Sequence, residues 1–348
     1  MPIDRKALVS RHDPWLRAPD PASPLSLGNG EFAFTADITG LQSFPPSEAR
    51  GVEAPGAEGA VPLCTMAQWG WHSFPIAPGE VRSRSALRLQ EFDTGGRKVG
   101  YMTDASGQEE LFAALRVNPH RLNLARLGLV CTAPGQGWKD LQPADIGAAV
   151  QRLRLYEGLL ESTFILGGAA LTIRAVVHPK RDILAFSIES EGLRSGALAL
   201  RLAFPYGSPE IDASDWNSPE RHRTAIVEEG SERLLLERSL DGDSYYAAIR
   251  TGAGGKVRRE GPHAFILCSA TPVLDVSIEF SPRLPAGSLP SWEECRSASA
   301  AHWADFWEGG GAIELAESAD PRALELERRV ILSRYLTAIQ CSGSLPPQ

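Results

Sequence analysis

The chain reads as mainly β, a large two-sheet antiparallel sandwich followed by C-terminal linker helices. Three observations carry that prediction. Short alternating apolar runs recur from Glu31 to Phe280, punctuated by Gly, Pro and Asp. Gly (33) and Pro (26) are plentiful, as many turns between many strands require. From Trp292 the period lengthens to that of a helix, so residues 1–290 are assigned to the sandwich and 291–348 to a helical linker. A length of 348 residues suits one large β domain with a helical appendage.

The elements follow in order. Residues 1–24 are polar and proline-rich. Ser26–Gly30 is a turn sequence, because Asn29-Gly30 readily takes positive φ. Phe32 and Phe34 then share one face of a half-buried strand, which continues through Gly40 to Phe44. Residues 45–62 lack periodicity and predict a long loop. Cys64–Phe74, the most aromatic window, is expected in a loop rather than on a strand face. Strands resume at Leu87. Asn118–Leu127 has a helix-like pattern, but the alternation of Leu122, Leu124 and Leu127 favours a strand, and Pro143–Val150 reads as one helical turn or two. Arg152–Ser190 is a four-strand meander with turns at Gly167-Gly168 and Pro179–Asp182, and five more short strands run on to Phe280.

The tail predicts a helix around Ala298–Trp307, a glycine break, one short strand, and a second helix from Asp320 to about Cys341. Asp320-Pro321 suits a helix start, an acid at the N-cap and proline after it. Leu324, Ile331, Tyr335 and Ile339 fall on one face, widened by Val330, Leu332 and Leu336. So wide an apolar face wants a partner surface, which implies self-association through the C-terminal helix or cover by another domain.

Composition narrows the function classes. The net charge is −8 and no Lys/Arg cluster forms a stripe, so a nucleic-acid backbone is not an expected partner. The five cysteines are widely spaced, which predicts reduced, mostly buried thiols rather than a disulfide framework or a zinc site. No apolar run reaches signal-peptide or membrane-span length, so a cytoplasmic protein with no membrane partner is expected. Gly28-Asn29-Gly30 and Gly252–Gly255 lack the strand-to-helix context of a phosphate loop, the seven histidines lack metal spacing, and no cofactor is implied.

Two groups of residues carry chemistry on paper. Asp212 and Asp215 sit beside Trp216, as paired acids at a sugar might, although acids in such loops are usually turn residues. Gln68, Trp69, Trp71, His72 and Phe74 combine ring faces with hydrogen-bonding groups, which suits the apolar face of a pyranose or an interface between domains. The bland reading is that one indole plugs the sandwich and the other docks against the terminal helices.

The order of strands with the Leu159–Ser190 meander, then Ala301–Trp307, then Ser333–Leu336, resembles the N-terminal half of six-hairpin (α/α)6-barrel glycoside hydrolases and phosphorylases, the maltose phosphorylase- and glucoamylase-like group. Leu27–Glu31 resembles their Gly-Asn-Gly hairpin. The resemblance implies a galactose mutarotase-like supersandwich whose catalytic barrel is absent from these residues, so none of them is expected to be catalytic. It also implies an oligosaccharide or glycoside as the whole enzyme's substrate, and a supporting role in which the Trp69–Phe74 segment is lent to the sugar site. The alternatives are a free-standing carbohydrate-binding module and a mutarotase-type epimerase, for which His72 and His178 are the candidates.

Overall fold

The computed structural model describes residues 3–44, 61–76, 83–133 and 135–345. The loop expected at 45–62 lies outside them except for its last two residues. The strands are β1 (Trp15–Leu16), β2 (Leu25–Gly28), β3 (Phe32–Ala36), β4 (Thr65–Ala67), β5 (Trp71–His72), β6 (Gln90–Asp93), β7 (Lys98–Tyr101) and β8 (His120–Arg121). Next come β9 (Arg126–Cys131), β10 (Lys139–Asp140), β11 (Ile146–Arg154), β12 (Leu159–Leu166), β13 (Ala169–Val177), β14 (Ile183–Glu189) and β15 (Leu198–Ala203). The series closes with β16 (His222–Glu229), β17 (Arg233–Leu240), β18 (Asp243–Thr251), β19 (Gly255–Arg259), β20 (Ala264–Ser269) and β21 (Val273–Ser281). The helices are α1 (Arg5–Ser10), α2 (Glu109–Val117), α3 (Glu191–Arg194), α4 (Trp292–Glu308) and α5 (Ala323–Cys341).

The protein is mainly β. A nine-stranded antiparallel sheet runs β1-β11-β12-β13-β14-β21-β18-β17-β16, and a five-stranded one runs β10-β9-β15-β20-β19. The expected meander is β11–β14, each strand pairing with the next. Period-2 alternation places Phe164, Ile173, Phe186 and Ile278 on the inner face of the larger sheet, in one core with Leu129, Leu200, Leu202 and Leu267 of the smaller. Each such side chain contributes about 1.5–3 kcal/mol by leaving water.

The two terminal helices share this core. Helix α4 starts at a capping box, in which Ser291 Oγ accepts from the Glu294 amide and the Glu294 carboxylate accepts from the Ser291 amide. Its first turns set Trp292 and Cys295 against Leu159, Val176, Ile183 and Ala185 on the outer face of the large sheet. Further on, Trp303 and Trp307 join Ile331, Tyr335 and Ile339 of α5 in the main core. Gly158 makes the approach possible: its φ is +61°, and a Cβ there would stand 2.1 Å from the Trp303 ring.

Several local expectations are corrected. The strands expected from Leu87 are interrupted by helix α2 at Glu109–Val117, whereas the favoured strand reading of Asn118–Leu127 is met in part by β8 and the start of β9. Pro143–Asp145 is a single 3-10 turn leading straight into β11. Among the described residues no strand forms between α4 and α5. Helix α5 begins at Ala323, because Asp320 turns its carboxylate onto the Arg322 amide at 2.9 Å and leaves the helix uncapped by a side chain. The α5 face is also redrawn: Ala323, Glu327, Ile331, Tyr335 and Ile339 are buried, whereas Leu324 is 54% and Leu336 46% exposed. The sheet contacts of α5 fall on β2 and β3, where Tyr335 Oη donates to Ser26 O; its first turns face Arg11 and His12 instead. Cys64 and Cys295 are buried, Cys131 and Cys268 half-buried and Cys341 exposed, so thiol burial is more mixed than expected; all five are free. No described helix is long and apolar enough to cross a membrane.

Candidate functional site

The Gln68–Phe74 segment is built by two short pairings. Strand β4 adds to β3, the chain turns at Gly70, and β5 pairs with β8, Trp71 opposite Arg121 and His72 opposite His120. Trp71 and His72 are therefore strand residues, not loop residues as the sequence suggested, because the single glycine turn returns the chain to an extended partner. Trp69 packs against the core with its ring centroid 6.0 Å from that of Tyr245, and its Nε1 donates to Asp182 Oδ2 at 2.8 Å. Burial pushes the Asp182 carboxyl up, against the opposing pull of the Trp69 and Asn29 hydrogen bonds. Trp71 is half-buried, donates from Nε1 to Gln68 O at 2.9 Å, and carries the Arg121 guanidinium 5.4 Å from its ring.

Gln68 faces the other end of the chain. Its Nε2 donates to Leu345 O at 3.0 Å. Beside it the Glu31 carboxylate accepts from the Ser344 amide at 2.6 Å and from Ser344 Oγ at 3.0 Å. The Gly28-Asn29-Gly30 turn completes this contact. Asn29 Nδ2 donates to His178 O and Arg181 O, and the Gly30 amide donates to Ile339 O at 3.1 Å. A Cβ on Gly343 would lie 2.2 Å from Gly30 O. The segment and the hairpin thus close over the end of α5.

His72 points the opposite way, into a closed box. It is wholly buried, with Nδ1 3.0 Å from Asp243 Oδ2 and Nε2 3.2 Å from Asp241 Oδ2, the second without hydrogen-bond alignment. Asp241 and Gly242 form the two-residue turn of the β17–β18 hairpin, Asp241 at φ +49°, and Asp243 opens β18. Tyr206 Oη donates to Asp241 Oδ2 at 2.5 Å and accepts from Arg221 Nη2 at 2.7 Å. Burial, then Asp241, pushes the Tyr206 phenol up to about 12. Phe74 stacks edge-on against His72 at 4.7 Å, and a Cβ on Gly207 would meet the His72 ring at 2.6 Å. So enclosed, the imidazole ties strand β5 to the β17–β18 turn and to the Tyr206–Gly207 segment.

The other sequence candidates have local roles. Asp215 accepts from the Asn217 amide at 2.8 Å and from Ser218 Oγ at 2.7 Å; these bonds, with Arg221 and His222, outweigh partial burial and hold its carboxyl below the usual range. Asp212 O accepts from Ser214 Oγ. His178, half-buried, accepts at Nδ1 from the Lys180 amide, and burial pushes its pKa down. Among the described residues no three His, Cys, Asp or Glu side chains converge as metal ligands. The sequence reading missed Asp182, Glu31 and Tyr206, and it noted Asp241 and Asp243 only as a pair of acids flanking Gly242, without their contact to His72.

No family model matches the chain, and no curated protein matches it. Solved structures do. One described as a kojibiose phosphorylase from the human microbiome aligns with 95% of this chain and 37% of its own, at TM-score 0.43 and 9% identity. A family GH92 α-mannosidase from Bacteroides thetaiotaomicron aligns with 64% of this chain and 32% of its own, at TM-score 0.29 and 10% identity. The same enzyme in complex with mannoimidazole gives TM-score 0.28. The chain thus spans just over a third of the length of the phosphorylase it resembles.

Proposed function

We propose that these residues form the non-catalytic supersandwich of a carbohydrate-active enzyme, a glycoside hydrolase or phosphorylase, which supports a helical catalytic barrel and lends it the Trp69–Phe74 edge. One observation carries the reading. Gln68 Nε2 binds Leu345 O while the Gln68 carbonyl holds the Trp71 indole, so the half-exposed ring is tied through one residue to the backbone beyond α5. A sugar bound in the adjoining domain would meet the Trp71 edge next to that exit. In this reading no residue here is catalytic; acid-assisted cleavage through an oxocarbenium-like state is the work of carboxylates in the barrel. Leu336 and Leu326 on the outward side of α5 would be covered by the barrel, and in its absence by a second copy.

The coding sequence beyond Gln348 provides the test. Helical hairpins carrying paired acids support the proposal, and a stop codon in that position sinks it. With the barrel joined, Trp71→Ala should lower kcat/KM on oligosaccharides while the melting temperature holds. Tight oligosaccharide binding by residues 1–348 alone, abolished in Trp71→Ala, would favour a free-standing binding module.

A further inference from the structure

Strand β16 is the outer edge of the nine-stranded sheet and β19 that of the five-stranded one, and an open cleft of about 510 Å³ lies where they meet. His222, Arg259 and His263 line it, with the exposed Glu220 as the acid among the lining residues. Behind it lies Arg238, wholly buried. Its guanidinium donates to Pro205 O and His222 Nδ1 through Nη2, and to Arg223 O, Thr224 Oγ1 and His263 Nδ1 through Nη1. The rings of Phe204 and Tyr245 flank it at 5.0 and 5.9 Å, and its Nε has no partner. All of these neighbours are neutral. A buried cation without a counter-charge is costly even when its hydrogen bonds are made.

The hydrogen bonds also fix where the ring protons sit. His222 Nδ1 accepts from Arg238 at 2.5 Å, so its proton is on Nε2. His263 donates from Nε2 to Pro219 O at 2.8 Å and accepts at Nδ1 from Thr224 Oγ1 at 2.8 Å. The two rings stack 3.7 Å apart. Arg259 spans the two sheets, donating to Thr224 O from Nη2, and no carboxylate among the described residues pairs with it. The cleft therefore presents an imidazole N–H donor, polarised by the cation behind it, beside a second guanidinium.

We propose that this cleft binds an anionic oxygen group, phosphate or carboxylate, held by His222 Nε2–H and Arg259 and offsetting the buried charge of Arg238. The inference does not depend on the function proposed above. Burial first, then Arg238 and His263, push the His222 pKa down to about 3, so the free ring is a neutral donor at physiological pH. By linkage, an anion that binds there raises that value.

Histidine side-chain ¹⁵N NMR of the full chain tests it, with inorganic phosphate and glucuronate titrated separately against sodium chloride at matched ionic strength. The His222 Nε2 resonance should move to saturation with at least one of the two and stay still in chloride. Response to phosphate alone identifies a phosphorylated ligand, and response to glucuronate alone an acidic sugar. Because an Arg238 variant endangers the fold, the supporting variant is Arg259→Ala, which should weaken the response about tenfold or more, with Arg259→Lys intermediate. No movement beyond the chloride control, or an unchanged titration in Arg259→Ala, would overturn the proposal.

Discussion

Glu327 of α5, with no exposed surface, lies 2.6 Å from His12 Nε2 and accepts from the Leu315 amide at 2.6 Å. Arg11 Nε completes the set at 2.9 Å. One carboxylate thus gathers the end of α1, the α4–α5 connection and α5 from a position on the buried stripe of the helix.

Burial alone would raise the Glu327 pKa, but the Leu315 amide, His12 and Arg11 outweigh it and hold the carboxyl below its ordinary 4.5. Its contribution to stability is therefore present above the unfolded value and lost as pH falls through the lower folded value. Glu327→Gln should cost about 1–3 kcal/mol at neutral pH, and the gap to the parent should narrow in acid. Urea unfolding of both proteins at neutral pH and well below 4.5 checks this.

Tyr206 gives the alkaline counterpart. Its phenol is raised from 10.0 to about 12, so the stability tied to it is complete below 10.0 and drains away as pH rises toward about 12. Asp241→Asn removes the second cause of the rise and should bring the titration down. Ultraviolet absorbance of tyrosinate against pH, compared between parent and variant, reads it directly.

Trp69→Phe keeps a ring in the core and deletes the N–H that reaches Asp182. Since that hydrogen bond lowers a carboxyl already raised by burial, the Asp182 titration should move further up. Carboxyl ¹³C NMR measures the shift. A variant in which Asp182 titrates as in the parent would show that the indole bond is not made in solution.

Gly158→Ala should be strongly destabilising. The residue would be left-handed, and the added carbon would overlap the Trp303 ring at 2.1 Å. Strain and overlap each cost about 1–3 kcal/mol. Thermal unfolding should show a melting temperature lowered by several degrees, with α4 lifted from the sheet.

Period-2 alternation and turn chemistry made the β11–β14 meander legible, because Gly167-Gly168 and Pro179–Asp182 mark its corners and each strand pairs with its neighbour in sequence. The α5 stripe was half legible. A helical wheel finds Ile331, Tyr335 and Ile339, but it cannot show that the first turns meet Arg11 and His12 instead of a sheet, so Leu324 was misplaced and Glu327 overlooked. The aromatic window was visible for the same reason its use was not. Trp69 and His72 stand out by residue type, whereas Asp182 and Asp243 lie 113 and 171 positions away and carry no local mark of the pairing.

The junction of the Gly28–Gly30 turn with the end of α5 is made by main chain against main chain, with Gly30 N on Ile339 O and Gly343 pressed on Gly30 O. A contact of that kind leaves no room for a side chain at Gly28, Gly30 or Gly343. The helix is therefore held at both ends, by the Glu327 carboxylate near its start and by the Gly28–Gly30 turn at its close.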